Sequence, residues 1–476
     1  MTGKAYVVFG SGEPIPSNVE LSSLDGTNGF ELVGAAAGDL TGPVGAAGDV
    51  NGDGFDDIII GAFGVEENAG RSYVVFGSDG GFSARLNLAS LDGSNGFRLT
   101  SVDSEDESGY SVDGAGDFNG DGIDDLLIGA PRADANGLNA GQAFVVYGST
   151  SGFGASVDLE LLDGTDGFVV NGSASSGLGG DVAAAGDING DGIDDVIVSA
   201  PDYDGFTGET FVLFGSPDGF PASSETGDID GTNGFRLVGT DSTEFSGRSV
   251  DGIGDLNGDG IDDLLISGSF PNCGVGGAYV VFGSKEGFSA SVDLSTLDGT
   301  NGFYLQGIDG CDSAGNSLSA AGDFNGDGFA DIIIGADGAS SYADDGVTAV
   351  YGGESYVVFG SGDGFAPTVP LASLDGLNGI RIEGIADGDS SGRSVSNAGD
   401  VNGDGLDDVI IGAFGADPNG EGSGQGYVLF GFNALTVSTL SDSGDDATVA
   451  GDLLAEAADG DGLSLREAVL LANSSP

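Results

Sequence analysis

Apolar residues along this chain fall in short runs of four to eight, β-branched or aromatic, each closed by Gly, Asp or Pro. That is the signature of strands bounded by turns. One unit shows the pattern most clearly. Gly109-Tyr-Ser-Val-Asp-Gly-Ala-Gly-Asp117 is an alternating run of small residues, and after an acidic loop comes Leu126-Leu-Ile-Gly-Ala-Pro131. Gly141-Gln-Ala-Phe-Val-Val-Tyr-Gly148 and Leu162-Asp-Gly-Thr-Asp-Gly-Phe-Val-Val170 complete it. The same four segments recur in order about every 70 residues. Helical periodicity is absent before about residue 450.

Four short strands repeated six or seven times predict an all-β fold, a β-propeller of four-stranded blades. The small residues of the first segment suit a crowded strand at the axis. The apolar second and third segments suit packing between blades, where both faces are buried. A β-solenoid is the structural rival, but its repeats are usually roughly 20 to 30 residues long.

Counting segments sets the ring size. The Phe-Gly segment occurs seven times, at Val8, Val75, Val146, Val212, Val281, Val358 and Leu429. The Leu-Asp-Gly segment occurs six times, from Leu24, Leu91, Leu162, Ile229, Leu297 and Leu374. The chain thus opens on the second half of one blade and closes on the first three strands of another. Six blades would leave residues 5–10 over; seven blades would leave one incomplete, and the reading favours seven. The expected divisions are a partial blade at 1–34 carrying strands three and four and closing the ring, the propeller at 35–431, and a C-terminal segment at 432–476 that starts a following domain.

Each repeat joins its first two strands through Asp-x-Asn-x-Asp-Gly-x-x-Asp, a pattern written six times. Position 1 is Asp49, Asp117, Asp187, Asp255, Asp323 and Asp400. Position 3 is Asn51, Asn119, Asn189, Asn257, Asn325 and Asn402, and position 5 is Asp53, Asp121, Asp191, Asp259, Asp327 and Asp404. The backbone carbonyl is the expected donor at position 7, from Phe55, Ile123, Ile193, Ile261, Phe329 and Leu406. Position 9 is Asp57, Asp125, Asp195, Asp263, Asp331 and Asp408. Short oxygen-bearing side chains around a glycine turn are what a hard cation takes, so about six Ca²⁺ ions are expected. Position 9 is preferred to position 8 as a ligand because position 8 is Ala330 in the fifth loop. An EF-hand is excluded, since position 12 is a branched apolar residue such as Ile60 or Val198 where that loop needs Glu. Mg²⁺, which keeps its waters, fits less well. Simple Asx-Gly hairpin turns would not need four oxygen side chains at fixed offsets.

Composition then narrows the partners. With 77 acidic and 11 basic residues and no His, the formal charge is −66. Nucleic acid is therefore a poor partner, and anionic membrane surfaces are disfavoured for the same reason. Regular apolar runs, with 39% of residues hydrophobic, argue against disorder. No run reaches the length of a membrane span. The start, Met1-Thr-Gly-Lys-Ala-Tyr, has no signal-peptide pattern and falls in mid-repeat, so a truncated N-terminus lacking its export signal is expected.

From Ser111 through the acidic loop to Gly129-Ala130-Pro131 and Tyr147-Gly148, the unit resembles the FG-GAP repeat of integrin α-subunit propellers and related bacterial surface proteins. The resemblance covers about residues 1–431. It implies cation loops on one face and partner binding on the opposite face, formed by the loops from strand two to three and from strand four to the next strand one. It also implies that Cys273 and Cys311 lie on that second face on adjacent blades, where a disulfide between them is expected. The Gly-Ala-Pro triplet lapses in three units, at Gly61-Ala62-Phe63, Ser267-Gly268-Ser269 and Gly335-Ala336-Asp337, so it reads as structural. Gly462-Leu-Ser-Leu-Arg-Glu-Ala468 resembles the Cys-Ser-Leu-Arg-Glu-Ala segment that opens β-helix regions of secreted bacterial proteins, with Leu463 in place of Cys.

Without His, Ser-His and Cys-His nucleophile systems and common zinc sites are excluded. No phosphate-binding Gly-x-x-x-x-Gly-Lys occurs. Tyr203 and Tyr342 stand in loops of the expected partner face. The reading is a non-enzymatic, extracellular or cell-surface Ca²⁺-binding module that mediates adhesion or binds a protein or glycan through the face away from the acidic loops. A structural spacer is the alternative, and a hydrolase the more distant one.

Overall fold

The computed structural model describes residues 3–12, 15–36, 38–101, 103–241, 244–268, 274–342, 349–420 and 422–433, with the short segments Val437–Thr439 and Leu463–Ser464. Seven sheets follow one another around a ring. Blade 1 holds Lys4–Val8 and Gly29–Val33. Blade 2 runs from Thr41–Gly48 through Asp57–Ala62 and Arg71–Val75 to Gly96–Thr100. Blades 3, 4, 5 and 6 repeat this meander, starting at Ser111, Val182, Val250 and Ser317. Blade 7 consists of Ser391–Gly399, Asp408–Ala413 and Gln425–Leu429.

One backbone hydrogen bond marks six of the seven steps around the ring. Ser149 N–H, just after strand three of blade 3, donates to Val50 C=O in the acidic loop of blade 2 at 2.8 Å. Ser216 to Phe118, Ser284 to Ile188, Ser361 to Leu256 and Phe432 to Phe324 repeat it at 2.9 Å. Ser11 N–H to Val401 C=O, at 2.8 Å, closes the series by seating blade 1 beside blade 7. The ring therefore has seven positions, and Lys4–Val8 is strand three of blade 1 rather than a leftover segment.

The inner strands are small for the reason the sequence suggests. A Cβ on Gly114 would stand 2.7 Å from Ala46 C=O of the neighbouring inner strand. The blades are wider than four strands, however. Three-residue segments such as Ser156–Asp158 pair in parallel with strand four of the preceding blade, making blades 2 to 5 five-stranded. This added strand carries too few apolar residues to register as a periodic run.

Apolar clusters lie between blades. Ile59, Val74 and Phe97 of blade 2 pack with Leu126, Ile128 and Val146 of blade 3. A stacked Phe pair recurs at successive junctions: Phe97 with Phe153 at 4.1 Å, Phe168 with Phe220 at 4.6 Å, Phe235 with Phe288 at 4.0 Å and Phe303 with Phe365 at 4.4 Å. In each pair a strand-four ring meets a ring from the next blade's connection, so one contact ties two blades together. Phe168 is fully buried among Phe118, Tyr147 and Phe220. Phe168→Ala is expected to cost about 3–5 kcal/mol, measured by denaturant titration against the unmodified protein.

Candidate metal loops and the two faces of the ring

The acidic loops are shaped by their own carboxylates. Both oxygens of Asp49 accept backbone N–H groups, from Asp53 at 2.9 Å and Gly54 at 2.8 Å. Asp53 Oδ1 accepts from Phe55 N–H at 3.0 Å. The same three bonds recur at Asp117, Asp187, Asp255, Asp323 and Asp400 with their position-5 partners. The glycine at position 6 has a left-handed backbone, with φ of 88° at Gly122, which a side chain would strain.

Position 9 is the buried end of each loop. Asp57 Oδ1 accepts from Gly77 N–H at 2.8 Å and Oδ2 from Val50 N–H at 3.2 Å. Asp125 accepts in the same way from Gly148 and Asn119, Asp263 from Gly283 and Leu256, Asp331 from Gly360 and Asn325, and Asp408 from Gly431 and Val401. The glycine of each Phe-Gly pair is thus held by the loop carboxylate of its own blade. A Cβ on Gly148 would come within 2.3 Å of Asp124 C=O, so nothing larger fits. Burial, with repulsion from positions 1 and 5, pushes these carboxyls up to about 7 at Asp57 and Asp331, and about 8 at Asp125, Asp195 and Asp263. Asp195 Oδ2 is buried without a hydrogen-bond partner.

The five predicted positions of each loop therefore lie on one turn between strands one and two. Their donors are all oxygens, the buried carboxylates lack compensating charge, and Asp195 has a spare buried oxygen. This chemistry fits a hard divalent cation. Among the described residues, no group of three or more acidic or cysteine side chains stands at metal-holding spacing.

Position 8 has a role that the sequence did not reveal. Asp124 Oδ2 of blade 3 accepts from Asp49 N–H of blade 2 at 2.7 Å. Asp194 does the same for Asp117, Asp262 for Asp187, and Asp407 for Asp323, at 2.8 to 2.9 Å. Position 8 latches one loop to the preceding one. Ala330 breaks the series, and its Cβ lies 3.4 Å from the place of a Cβ on Gly254.

Three further carboxylates bridge inner strands. Asp113 accepts from Ala184 N–H of blade 4. Asp181 accepts from Val250 N–H of blade 5 at 3.0 Å, and Asp251 from Ala320 N–H and Ser319 Oγ of blade 6 at 2.9 and 2.8 Å. Burial raises them to about 8, 7 and 6, with mutual repulsion adding at Asp113 and Asp181. A sequence signal for two of them was present: Asp113 and Asp251 both precede a loop's first Asp by four residues, amid small residues.

On the opposite face, the strand two-to-three loops meet the connections between blades. Left-handed non-glycine residues gather there, including Asn139 (φ 50°), Ser175 (φ 63°), Asp204 (φ 48°) and Phe206 (φ 78°). These four, with Ala174, Asp202 and Gly205, line a cleft of about 430 Å³ between blades 3 and 4. Phe206 is exposed and stacks on Phe245 at 4.5 Å. Tyr203 instead packs against the core, and the Tyr342 side chain lies outside the described residues. Cys311 is disulfide-bonded, and its N–H donates to Gly274 C=O at 3.2 Å; Cys273 lies outside the described residues. So does residue 467 with the rest of the tail resemblance beyond Ser464.

Fold and loops together define a repeat propeller with acidic loops on one face. Five segments, 41–75, 108–146, 179–213, 314–358 and 391–429, match the FG-GAP repeat family. The chain carries FG-GAP repeats on a seven-blade β-propeller and is similar to integrin α-subunits. It is 31% identical over 248 residues to integrin alpha pat-2 of Caenorhabditis elegans, covering 48% of this chain and 18% of that one. It is 26% identical over 254 residues to integrin alpha-5 of Xenopus laevis, covering 52% and 21%. Phosphatidylinositol-glycan-specific phospholipase D of Bos taurus is 31% identical over 159 residues, covering 32% and 18%. The chain thus spans about a fifth of the length of these relatives. Blade 5 falls outside the matched segments yet folds as its neighbours do.

Two tests follow from the carboxylate roles. Asp194→Ala is expected to cost about 1–3 kcal/mol of stability while leaving cation affinity of its own loop, Asp187–Asp195, unchanged, as read by calorimetry; were Asp194 a ligand, that loop would lose affinity. For Asp113, a folded-state pKa above the ordinary carboxylate value means the folded protein holds the proton more tightly. Its contribution is complete below about pH 4 and is lost as pH rises through about 8. Melting curves in saturating Ca²⁺ should therefore show the Asp113→Asn protein losing less stability than the unmodified one between those values.

Proposed function

We propose that this propeller is a non-enzymatic, extracellular Ca²⁺-stabilised module that binds a protein or glycan through the face opposite its acidic loops. Asp, Asn and Asp at positions 1, 3 and 5, the position-7 carbonyl and the position-9 Asp would hold each ion. The ion supplies positive charge where buried carboxylates repel one another. The observation that carries the metal reading is the six-fold repetition of a buried Asp repelled by two acidic neighbours in its own loop. The kinship with integrin α-subunits supports adhesion as the role.

The observation that carries the choice of face is the cleft at Phe206, where an exposed aromatic ring, carboxylates and strained backbone converge. On the other face the acidic loops are engaged in holding strands and neighbours. Chelation with EGTA is expected to lower the melting temperature in scanning calorimetry, because an ion bound only by the folded state stabilises it; an unchanged melting temperature would overturn the metal reading. A protein and glycan array in millimolar Ca²⁺ should yield a ligand whose capture is lost in Phe206→Ala and Asp204→Ala proteins of unchanged melting temperature. Retention by both variants would move the ligand off this cleft.

A further inference from the structure

Each acidic loop has a neighbour lying across its fourth position, a glycine. The backbone bonds that mark steps around the ring bring it there, because the residue after the bonding one reaches over the preceding blade's loop. After Ser149 comes Thr150, whose Cγ2 lies 2.6 Å from where a Cβ on Gly52 would stand. After Ser216 comes Pro217, with its Cβ 3.5 Å from the same point on Gly120. After Phe432 comes Asn433, whose Oδ1 lies 2.9 Å from that point on Gly326. These covers are neutral.

The loop of blade 4 has a charged one. Ser284 N–H donates to Ile188 C=O at 2.9 Å, and Lys285 follows it. The lysine stem runs along Gly190, with Cγ and Cε both 2.5 Å and Cδ 3.1 Å from the place of a Cβ there. Its ammonium, one bond beyond Cε, is therefore held over the loop Asp187–Asp195. Among the described residues Lys285 forms no ion pair, while Arg132, Arg236, Arg381 and Arg393 each hold a carboxylate. The lysine charge thus acts on the loop beneath it.

That loop is otherwise a copy of its neighbours. Asp117–Asp125, Asp187–Asp195 and Asp255–Asp263 differ only at position 2, which is Phe118, Ile188 or Leu256. All three of these side chains are buried, and position 2 supplies none of the expected ligands. What separates the three loops is what lies over them: Pro217, Lys285, and at Gly258 the ring of Phe329.

We propose that Lys285 lowers the Ca²⁺ affinity of the blade 4 loop, so that this loop fills last as Ca²⁺ rises. This rests on the reading of the acidic loops as Ca²⁺ sites. A positive charge held beside a site for a divalent cation repels the ion, and water and salt moderate the repulsion at an exposed lysine. The cost is about threefold to tenfold in affinity at low ionic strength. The same loop joins blades 4 and 5, through Ser284 to Ile188 and through Asp187 N–H to Asp262. A joint that tightens only at higher Ca²⁺ therefore stands in the blade that supplies Asp202, Asp204 and Phe206 to the cleft.

Amide exchange of the full chain, followed by mass spectrometry while CaCl₂ is titrated at low ionic strength, reads each loop separately. In the unmodified protein the loop at Asp187 is expected to gain protection at about threefold to tenfold higher Ca²⁺ than those at Asp117 and Asp255. Lys285→Gln should close that gap and leave the other midpoints unchanged, whereas Lys285→Arg should keep it. Added KCl should narrow it. Thr150→Lys should raise the midpoint of the Asp49 loop by a similar factor. Thr150 and Lys285 are both exposed, so the fold tolerates these changes. Equal midpoints in the unmodified protein, or a gap that survives Lys285→Gln, would overturn the inference while leaving the Ca²⁺ sites standing. Protection that ignores CaCl₂ in every loop would overturn the metal reading itself, and this inference with it.

Discussion

Everything in this ring depends on a buried aspartate that, in five of the six repeats, holds two backbone N–H groups at once. In each repeat the position-9 carboxylate joins the end of the acidic loop to the glycine that follows strand three. A buried carboxylate is costly unless its oxygens are satisfied. Two such bonds lower that cost and fix the loop against strand three. The Phe-Gly glycine follows from this, because the turn it occupies has no room for a Cβ. The Phe before it then reaches the aromatic pair between blades, as Phe76 reaches Phe97 and Phe153.

Inner strands of neighbouring blades face each other without a backbone ladder, so side chains make the connection. Asp113, Asp181 and Asp251 reach across to backbone N–H groups, Ser317 Oγ accepts from Val395 N–H, and position-8 Asp residues do the same one layer further out. A chain that spends so many carboxylates on hydrogen bonds to its own backbone explains part of its acidity without a cationic partner. The loops then act as joints, and variation is left to the opposite face, where left-handed residues and the cleft at Phe206 occur.

Much of this was legible from pattern. Strand positions such as Leu126 to Ala130, the identity of the crowded inner strand, and the placing of all six loops between strands one and two came from local periodicity and fixed offsets. Position 8 was readable only as a weaker ligand, since its bond is to a residue 75 positions away, Asp49 to Asp124. The short parallel strand at Ser156–Asp158 left no periodic trace, because its three residues pair with Arg98–Thr100 of another blade. Tyr203 looked available for a partner but turns into the core, while Phe206, three residues on, is the exposed ring.

The sequence by itself determined the repeat, its four main strands and the acidic chemistry of its loops, because turn glycines, alternation and donor spacing act within a few residues. Tertiary structure alone decided the number of ring positions, through Ser11 meeting Val401, and the division of neighbouring aspartates into candidate ligand and latch. Those outcomes hang on which blade stands next to which. That is a property of ring closure over hundreds of residues, and no local pattern carries it.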